Sequence, residues 1–365
     1  MRAWEKYGKW IEPALVLLGI QAVHFLNTRV AVATAPNLAV ARPIKGLAAW
    51  LFTSWDAEHY LRLATNYDSY AWPPLYPMTL RLISSLGFEV QVSAILLNLL
   101  AHTAIVYLAY AYVRGNPKLS EVPGWLFASL LLFFPGHNVF FAAYSESLFL
   151  ALALGACVAY QREKLWLAGM LCGLALLTRN MGMFLGVALL AVEVRRTLRE
   201  GFRPGRIAAV GSWLLFLVGW NLWLLEVAHT DPVAATIEWQ RDLLQNHVPN
   251  GDNAKLWVLK FVALPPGNHN EYVFFWALVI TAVICWRQGL EVEALYIVAF
   301  LLSFVVYLYR PFPFTRYASV MFPLALMAAS ALRKRPALQA LALGLCVALS
   351  HHYEVMLFSD RFGEP

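Results

Sequence analysis

The chain has 365 residues, of which 60% are hydrophobic and only 14% charged. A soluble domain sits nearer about 45–50% apolar and about 25% charged, so the mean hydropathy of +0.57 leaves apolar surface that only lipid can cover. The formal charge of +6 is small for this length and falls in short hydrophilic breaks. That is how loops on the cytoplasmic side of a membrane collect Lys and Arg, and it is not a nucleic-acid footprint.

The composition predicts an all-α, polytopic integral membrane bundle, a single domain over 1–365 with about ten or eleven transmembrane helices of roughly 20 residues each. Arg2, Lys6 and Lys9 precede an apolar run from Ile11 to Val32 that contains Gln21, His24 and Asn27. The run is longer than an ordinary signal-peptide core and reads as a retained first span, with cleavage near Ala33-Thr34-Ala35 as the competing reading. With a cytoplasmic N-terminus, 33–74 is an outer loop containing an amphipathic stretch, Ile44 to Trp55. Leu75 to Phe88 is apolar but short, and reads as a partly inserted or strongly tilted helix.

Val90 to Val113 is a full span that ends at Arg114 and Lys118 inside. Trp125 to Phe141 returns outward and sets Tyr144-Ser145-Glu146 at the outer face, and Leu148 to Tyr160 goes back. Leu165 to Leu177 and Met181 to Val194 flank Thr178-Arg179-Asn180. Each is too short for a core of about 30 Å at roughly 1.5 Å per residue, which suits a cavity cut into one leaflet. Arg195 to Arg206 carries five arginines and is the strongest cytoplasmic marker. Ile207 to Ala228 leads to a second outer loop, 229–270. Tyr272 to Trp286, Ala294 to Tyr309, Tyr317 to Leu332 and Ala337 to Phe358 follow, with Arg333-Lys334-Arg335 inside and Arg310 to Arg316 outside. No repeat of fixed period stands out, whereas an inverted repeat would have favoured a transporter.

The four cysteines lie in apolar runs without Cys-x-x-Cys spacing, so neither a metal site nor a disulfide framework is indicated. His137, His229, His247 and His269 are scattered without ligand spacing. The densest chemistry lies between Trp55 and Pro77. In a helix from Trp55 to Ala64, Asp56, His59 and Tyr60 share a face, and Glu58 points about 200° away. One carboxylate with a histidine nearby suits a general base. An interfacial helix with its polar residues on the wet side explains the same composition. Arg179 and Arg316 sit beside short apolar segments, where an ionisable residue is a functional candidate by default; a structural ion pair such as Arg179 with Glu146 is the bland alternative.

Trp55-Asp56-Ala57-Glu58-His59-Tyr60, followed by Pro73-Pro74-Leu75-Tyr76-Pro77, resembles the first-loop signature of the GPI mannosyltransferase II (PIG-V) family, within the GT-C superfamily of polytopic glycosyltransferases. Phe134 to Phe140 with Tyr144-Ser145-Glu146 is similar to the family's Ser-Pro-x-Asn-Val-Phe and Tyr-Ser-Glu pattern. Thr178-Arg179-Asn180-Met181-Gly182 resembles an Arg-Ser-Asn-Gly element, and Thr315-Arg316-Tyr317 a Thr-Arg-Phe. Phe134 replaces a Ser, Gly136-His137 is one residue longer than the pattern, Arg179-Asn180 lacks the intervening Ser, and 229–270 has no counterpart.

The resemblance implies transfer of mannose, with inversion, from a polyprenyl- or dolichyl-phosphate donor to a lipid or glycolipid acceptor. Asp56 would be the catalytic base with His59 as its partner, and Arg179 and Arg316 would bind the donor phosphate. Glu58, Tyr60, Tyr76, Glu146 and Asn180 would contact substrate, Glu146 alternatively pairing with an arginine. Trp72 and Tyr76 could stack on a sugar ring. The resemblance implies no cofactor, and the Asp56-x-Glu58 pair is too sparse to imply a metal. Compact length and short loops point to a prokaryotic plasma membrane with the site on the outer face, with the endoplasmic reticulum as the alternative. A polyisoprenoid-lipid transporter, a non-catalytic scaffold and transfer of another lipid-phosphate sugar are the competing functions.

Overall fold

The computed structural model describes residues 2–34, 56–67, 72–134, 138–226, 269–307 and 314–358. The amphipathic stretch at 44–55, most of the loop 33–74, the loop 229–270 and the segment 310–313 therefore fall wholly or largely outside the described residues. Every regular element described is helical: α1 (Arg2–Thr34), α2 (Asp56–Thr65), α3 (Leu75–Ser84), α4 (Val90–Gly115), α5 (Gly124–Leu132), α6 (Asn138–Phe141), α7 (Glu146–Gln161) and α8 (Leu165–Thr178). The chain continues through α9 (Met181–Glu200), α10 (Pro204–Val210), α11 (Trp213–Glu226), α12 (His269–Arg287), α13 (Glu291–Tyr307), α14 (Phe314–Ser319), α15 (Phe322–Leu332) and α16 (Pro336–Phe358).

Among the described residues, Trp10–Ala31 and Val90–Gly115 are each long and apolar enough to cross a membrane, and α10 with α11 makes a third such stretch if the pair is one span. Two expected single spans are instead broken. α10 and α11 meet at a 50° bend over Gly211-Ser212, a pairing that commonly kinks helices. The run Trp125 to Phe141 divides into α5 and α6, and α5 stops at Leu132, short of Pro135, whose missing N–H opposes a continuing helix. Of the two short runs around Arg179, the first folds as expected, while the second continues six residues past Val194 into the arginine-rich segment and makes a 20-residue helix. α8 ends at Thr178, Arg179 is extended (φ −154°), and α9 starts at Met181. Gly182 permits that tight restart, because a Cβ there would strike the backbone of Ala175 and Leu176.

Large apolar side chains face outward: Leu18 is 64% exposed, Leu100 65% and Leu215 70%. Polar groups gather inside instead, including Asn98, His102, Ser147 and Glu146. This is inverted from a water-soluble core and matches lipid as the surrounding solvent. α7 packs between α4 and α8, α9 against α13, and α1 beside α16.

The helices run between two ends. Glu146 and Arg179 lie at one end of α7 and α8. At the other end Glu163 meets Arg196 and Arg206, Arg195 meets Glu291, and Arg333 meets Glu121.

Candidate active site

Three helix termini converge on four charges. Asp56 opens α2 and Glu146 opens α7, so both carboxylates sit where the helix dipole favours negative charge. Arg316 lies in the last turn of α14, where a cation is favoured. Arg179 projects from the break between α8 and α9. Arg316 Nη1 lies 2.5 Å from Asp56 Oδ2, and its Nε donates to Glu146 Oε1 at 2.5 Å. Arg179 Nη1 is 2.8 Å from the same Glu146 oxygen. Two carboxylates and two guanidiniums balance, which is the condition for holding charge away from water.

The cluster is partly open on the Asp56 side. Glu146 is fully buried, whereas the side chains of Asp56 and Arg316 retain 17% and 20% exposure. Burial opposes the charge of Arg316, but Asp56 and Glu146 more than offset it and hold the guanidinium protonated. Its plane lies over the Tyr144 ring at 4.7 Å, and Arg179 lies 5.9 Å from the Tyr317 ring. Among the described residues Arg316 Nη2, Glu146 Oε2 and Tyr76 Oη are buried without a hydrogen-bond partner. Orphaned polar atoms of this kind are costly unless a ligand completes them.

The aromatic residues of the Trp55–Pro77 segment form the floor. Tyr60 is buried and its hydroxyl shares a 2.7 Å hydrogen bond with Ser145 Oγ. Ser145 also accepts from Arg179 at 3.1 Å. Burial, first of all, raises the Tyr60 phenol pKa, so it stays neutral. Tyr76 and Trp72 meet the Tyr60 ring edge-on at 4.9 and 5.2 Å. Tyr60 and Tyr76 therefore lie under the charges, not at their open side.

Asp56, Glu146, Arg179 and Arg316 are thus brought together. His59 is not: it is exposed, stacks on Trp72 at 5.7 Å and approaches Arg62, while Asp56 takes Arg316 as its partner. Local helical periodicity sees only neighbours within α2, and the stronger cation arrives from a distant helix. Glu58 is exposed and pairs with no described residue, so the two carboxylates of α2 do not converge. Asn180 is exposed and makes no capping bond. Among the described residues no group of three or more His, Cys, Asp or Glu is placed to hold a metal.

The sequence left one supporting network unread. His102 of α4 bonds Phe140 O at 2.9 Å, Ser147 Oγ at 3.1 Å and Gln21 of α1 at 3.0 Å. Asn98 donates to Ala142 O at 2.5 Å. These bonds satisfy carbonyls at the end of α6 and in the turn after it, which delivers Ser145 and Glu146. A polar residue alone in an apolar run was the only available signal.

Residues 17–197 match the model of the family described as Mannosyltransferase (PIG-V). The GPI alpha-1,6-mannosyltransferase 2 of Cricetulus griseus is 30% identical over 167 residues, and that of Mus musculus 32% over 164. Each alignment covers 41% of this chain and 33% of the relative, so the chain spans about a third of the length of the relatives it matches. The Archaeoglobus fulgidus oligosaccharyltransferase tethered to an acceptor peptide overlaps 99% of this chain and 56% of its own at 12% identity. Its TM-score of 0.40 is too low to carry an argument. The matched residues 17–197, just under half of the chain, contribute Asp56, Glu146 and Arg179 and are similar to the mannosyltransferase (PIG-V) family.

Proposed function

We propose that this chain is a polytopic membrane glycosyltransferase that moves mannose from a polyprenyl- or dolichyl-phosphate donor to a hydroxyl of a lipid or glycolipid acceptor. The observation that carries the reading is the meeting of Asp56 with Arg316, beside Glu146 and Arg179, with Arg316 Nη2 and Glu146 Oε2 left unsatisfied. A phosphate oxygen completes the guanidinium, which suits a two-pronged grip on phosphate. A sugar hydroxyl completes the carboxylate.

In the proposed step the acceptor hydroxyl gives its proton to Asp56 as its oxygen attacks the anomeric carbon. The bond from that carbon to the donor phosphate breaks, and the electron pair leaves with the phosphate. Arg316 and Arg179 stabilise the charge that develops there, so the leaving group needs no separate acid. Attack opposite the leaving phosphate inverts the anomeric centre. Arg316 holds Asp56 Oδ2, and no described residue bonds Oδ1, which leaves one oxygen for the proton.

The finer architecture belongs to the same proposal. The shorter apolar helices alternate between the site end and the basic end and complete the bundle. The basic end lies in the cytoplasm by the positive-inside rule, which puts the site on the opposite face of a plasma or endoplasmic reticulum membrane.

The test is transfer of labelled mannose from polyprenyl-phosphate mannose to a membrane lipid extract by the purified protein, with Asp56→Asn in parallel. Product from the wild type, with a loss of about 100-fold or more in the variant, supports the reading. A variant that keeps its rate removes Asp56 as the base. Folded protein inert with every lipid-phosphate sugar moves the assignment to lipid transport.

A further inference from the structure

At the turn joining α7 to α8, three consecutive charged residues are sorted to opposite sides. Glu163 takes φ +57°, a left-handed conformation uncommon for a residue with a side chain. Its carboxylate thereby faces Arg196 and Arg206, each 2.7 Å away. Arg162 and Lys164 are left exposed, and neither forms an ion pair with a described residue. At the same end Arg114, Arg195, Arg196, Arg206 and Arg333 are all paired with carboxylates.

Arg162 and Lys164 close one end of a groove of about 450 Å³ between α4, α7 and α8. Among the described residues they are its only charged lining, and the walls are Leu, Ala, Val and Gly. Along α7 it runs from Leu148 to Arg162, roughly 21 Å at 1.5 Å per residue, which exceeds the depth of one leaflet of a core about 30 Å thick. Gly155 lines the middle, where a Cβ would make ordinary contact with Leu171 at 3.4 Å and Leu108 at 3.7 Å.

We propose that this groove binds one anionic glycerophospholipid of the bilayer, its acyl chain along α7 and its phosphate on Arg162 and Lys164. The inference rests on the reading of the chain as membrane-spanning. Walls without a polar side chain offer little to a sugar or nucleotide, and a hydrocarbon chain suits them. Two cations without a carboxylate favour a head group with net negative charge over a zwitterion, as basic pockets between transmembrane helices do. The groove's charged mouth lies at the far end of α7 from Glu146, so the lipid head sits remote from the four-charge cluster.

The experiment is native mass spectrometry of the full-length protein titrated with phosphatidylglycerol, phosphatidylcholine or undecaprenyl phosphate. Expected is one phosphatidylglycerol bound in preference to phosphatidylcholine, with the preference falling roughly fivefold for each cation lost in R162Q and in R162Q/K164Q. Arg162→Lys should retain it, which separates charge from fold. Equal retention by the double variant, no preference over phosphatidylcholine in the wild type, or preferential capture of undecaprenyl phosphate overturns the proposal. Because binding is read without sugar transfer, failure here and failure of the enzyme assignment are distinguishable.

Discussion

Glu146 offers one oxygen to two guanidiniums and keeps the other free of any described partner. Replacing it with Gln removes the anion that both cations share, so Glu146→Gln should destabilise the protein by about 3–5 kcal/mol, the usual cost of breaking a buried pair from one side. Denaturation in detergent measures it. Adding Arg179→Gln should recover part of the loss, giving an interaction energy above about 0.5 kcal/mol in a double-mutant cycle. Arg179, Arg316 and Glu146 were legible in the sequence as charges beside apolar runs, Asp56 was legible from the polar Trp55–Pro77 segment and its family resemblance, and the Arg179–Glu146 pair was legible as an alternative. The Asp56–Arg316 pair was not. Nothing local to either residue encodes the other, and the nearest candidate within α2, His59, turned out to stack on Trp72.

Among the elements, the break between α8 and α9 depends on Gly182. Gly182→Ala should cost about 1–3 kcal/mol by overpacking, and should lower the transfer rate because Arg179 rides on the same break. A thermal melt and a rate measurement on one preparation check both. At the opposite end, burial would raise the Glu163 carboxyl pKa, but hydrogen bonds from Arg196 and Arg206 hold it below the ordinary 4.5. A lowered folded value means the stabilisation is complete above about 4.5 and disappears as pH falls through that lowered value. Glu163→Gln should therefore lower stability by about 0.2–1 kcal/mol at neutral pH, and the gap to wild type should close in acid; melting temperature against pH reads it. The break at Arg179 was legible because the apolar run leaves a visible polar interruption, but the end of α9 was not, since the helix carries on through Arg195 to Glu200 after the apolar residues stop. The breaks after Leu132 and at Gly211-Ser212 escaped hydropathy, since apolar residues continue on both sides, and only Pro135 and the Gly-Ser pair mark them in the sequence.

On the scale of the whole molecule, the two ends differ in kind: one holds four mutually neutralising charges, the other a broad surplus of arginine and lysine. That asymmetry was readable from sequence, because the positive-inside pattern needs only composition and order. It predicts sided labelling. With Cys346 replaced, single cysteines at the exposed positions Glu58 and Arg203 should react with an impermeant maleimide from opposite faces of sealed vesicles. Reaction of both from one face would contradict the arrangement.

The separation of Asp56 from Arg316 along the chain also has a temporal side. A ribosome adding about 5–20 residues per second reaches Arg316 some tens of seconds after Asp56. Until then Asp56, Glu146 and Arg179 carry an unbalanced negative charge. The nascent protein thus carries an unfinished site until 316 of its 365 residues have been made, and α14 is the piece whose arrival closes it.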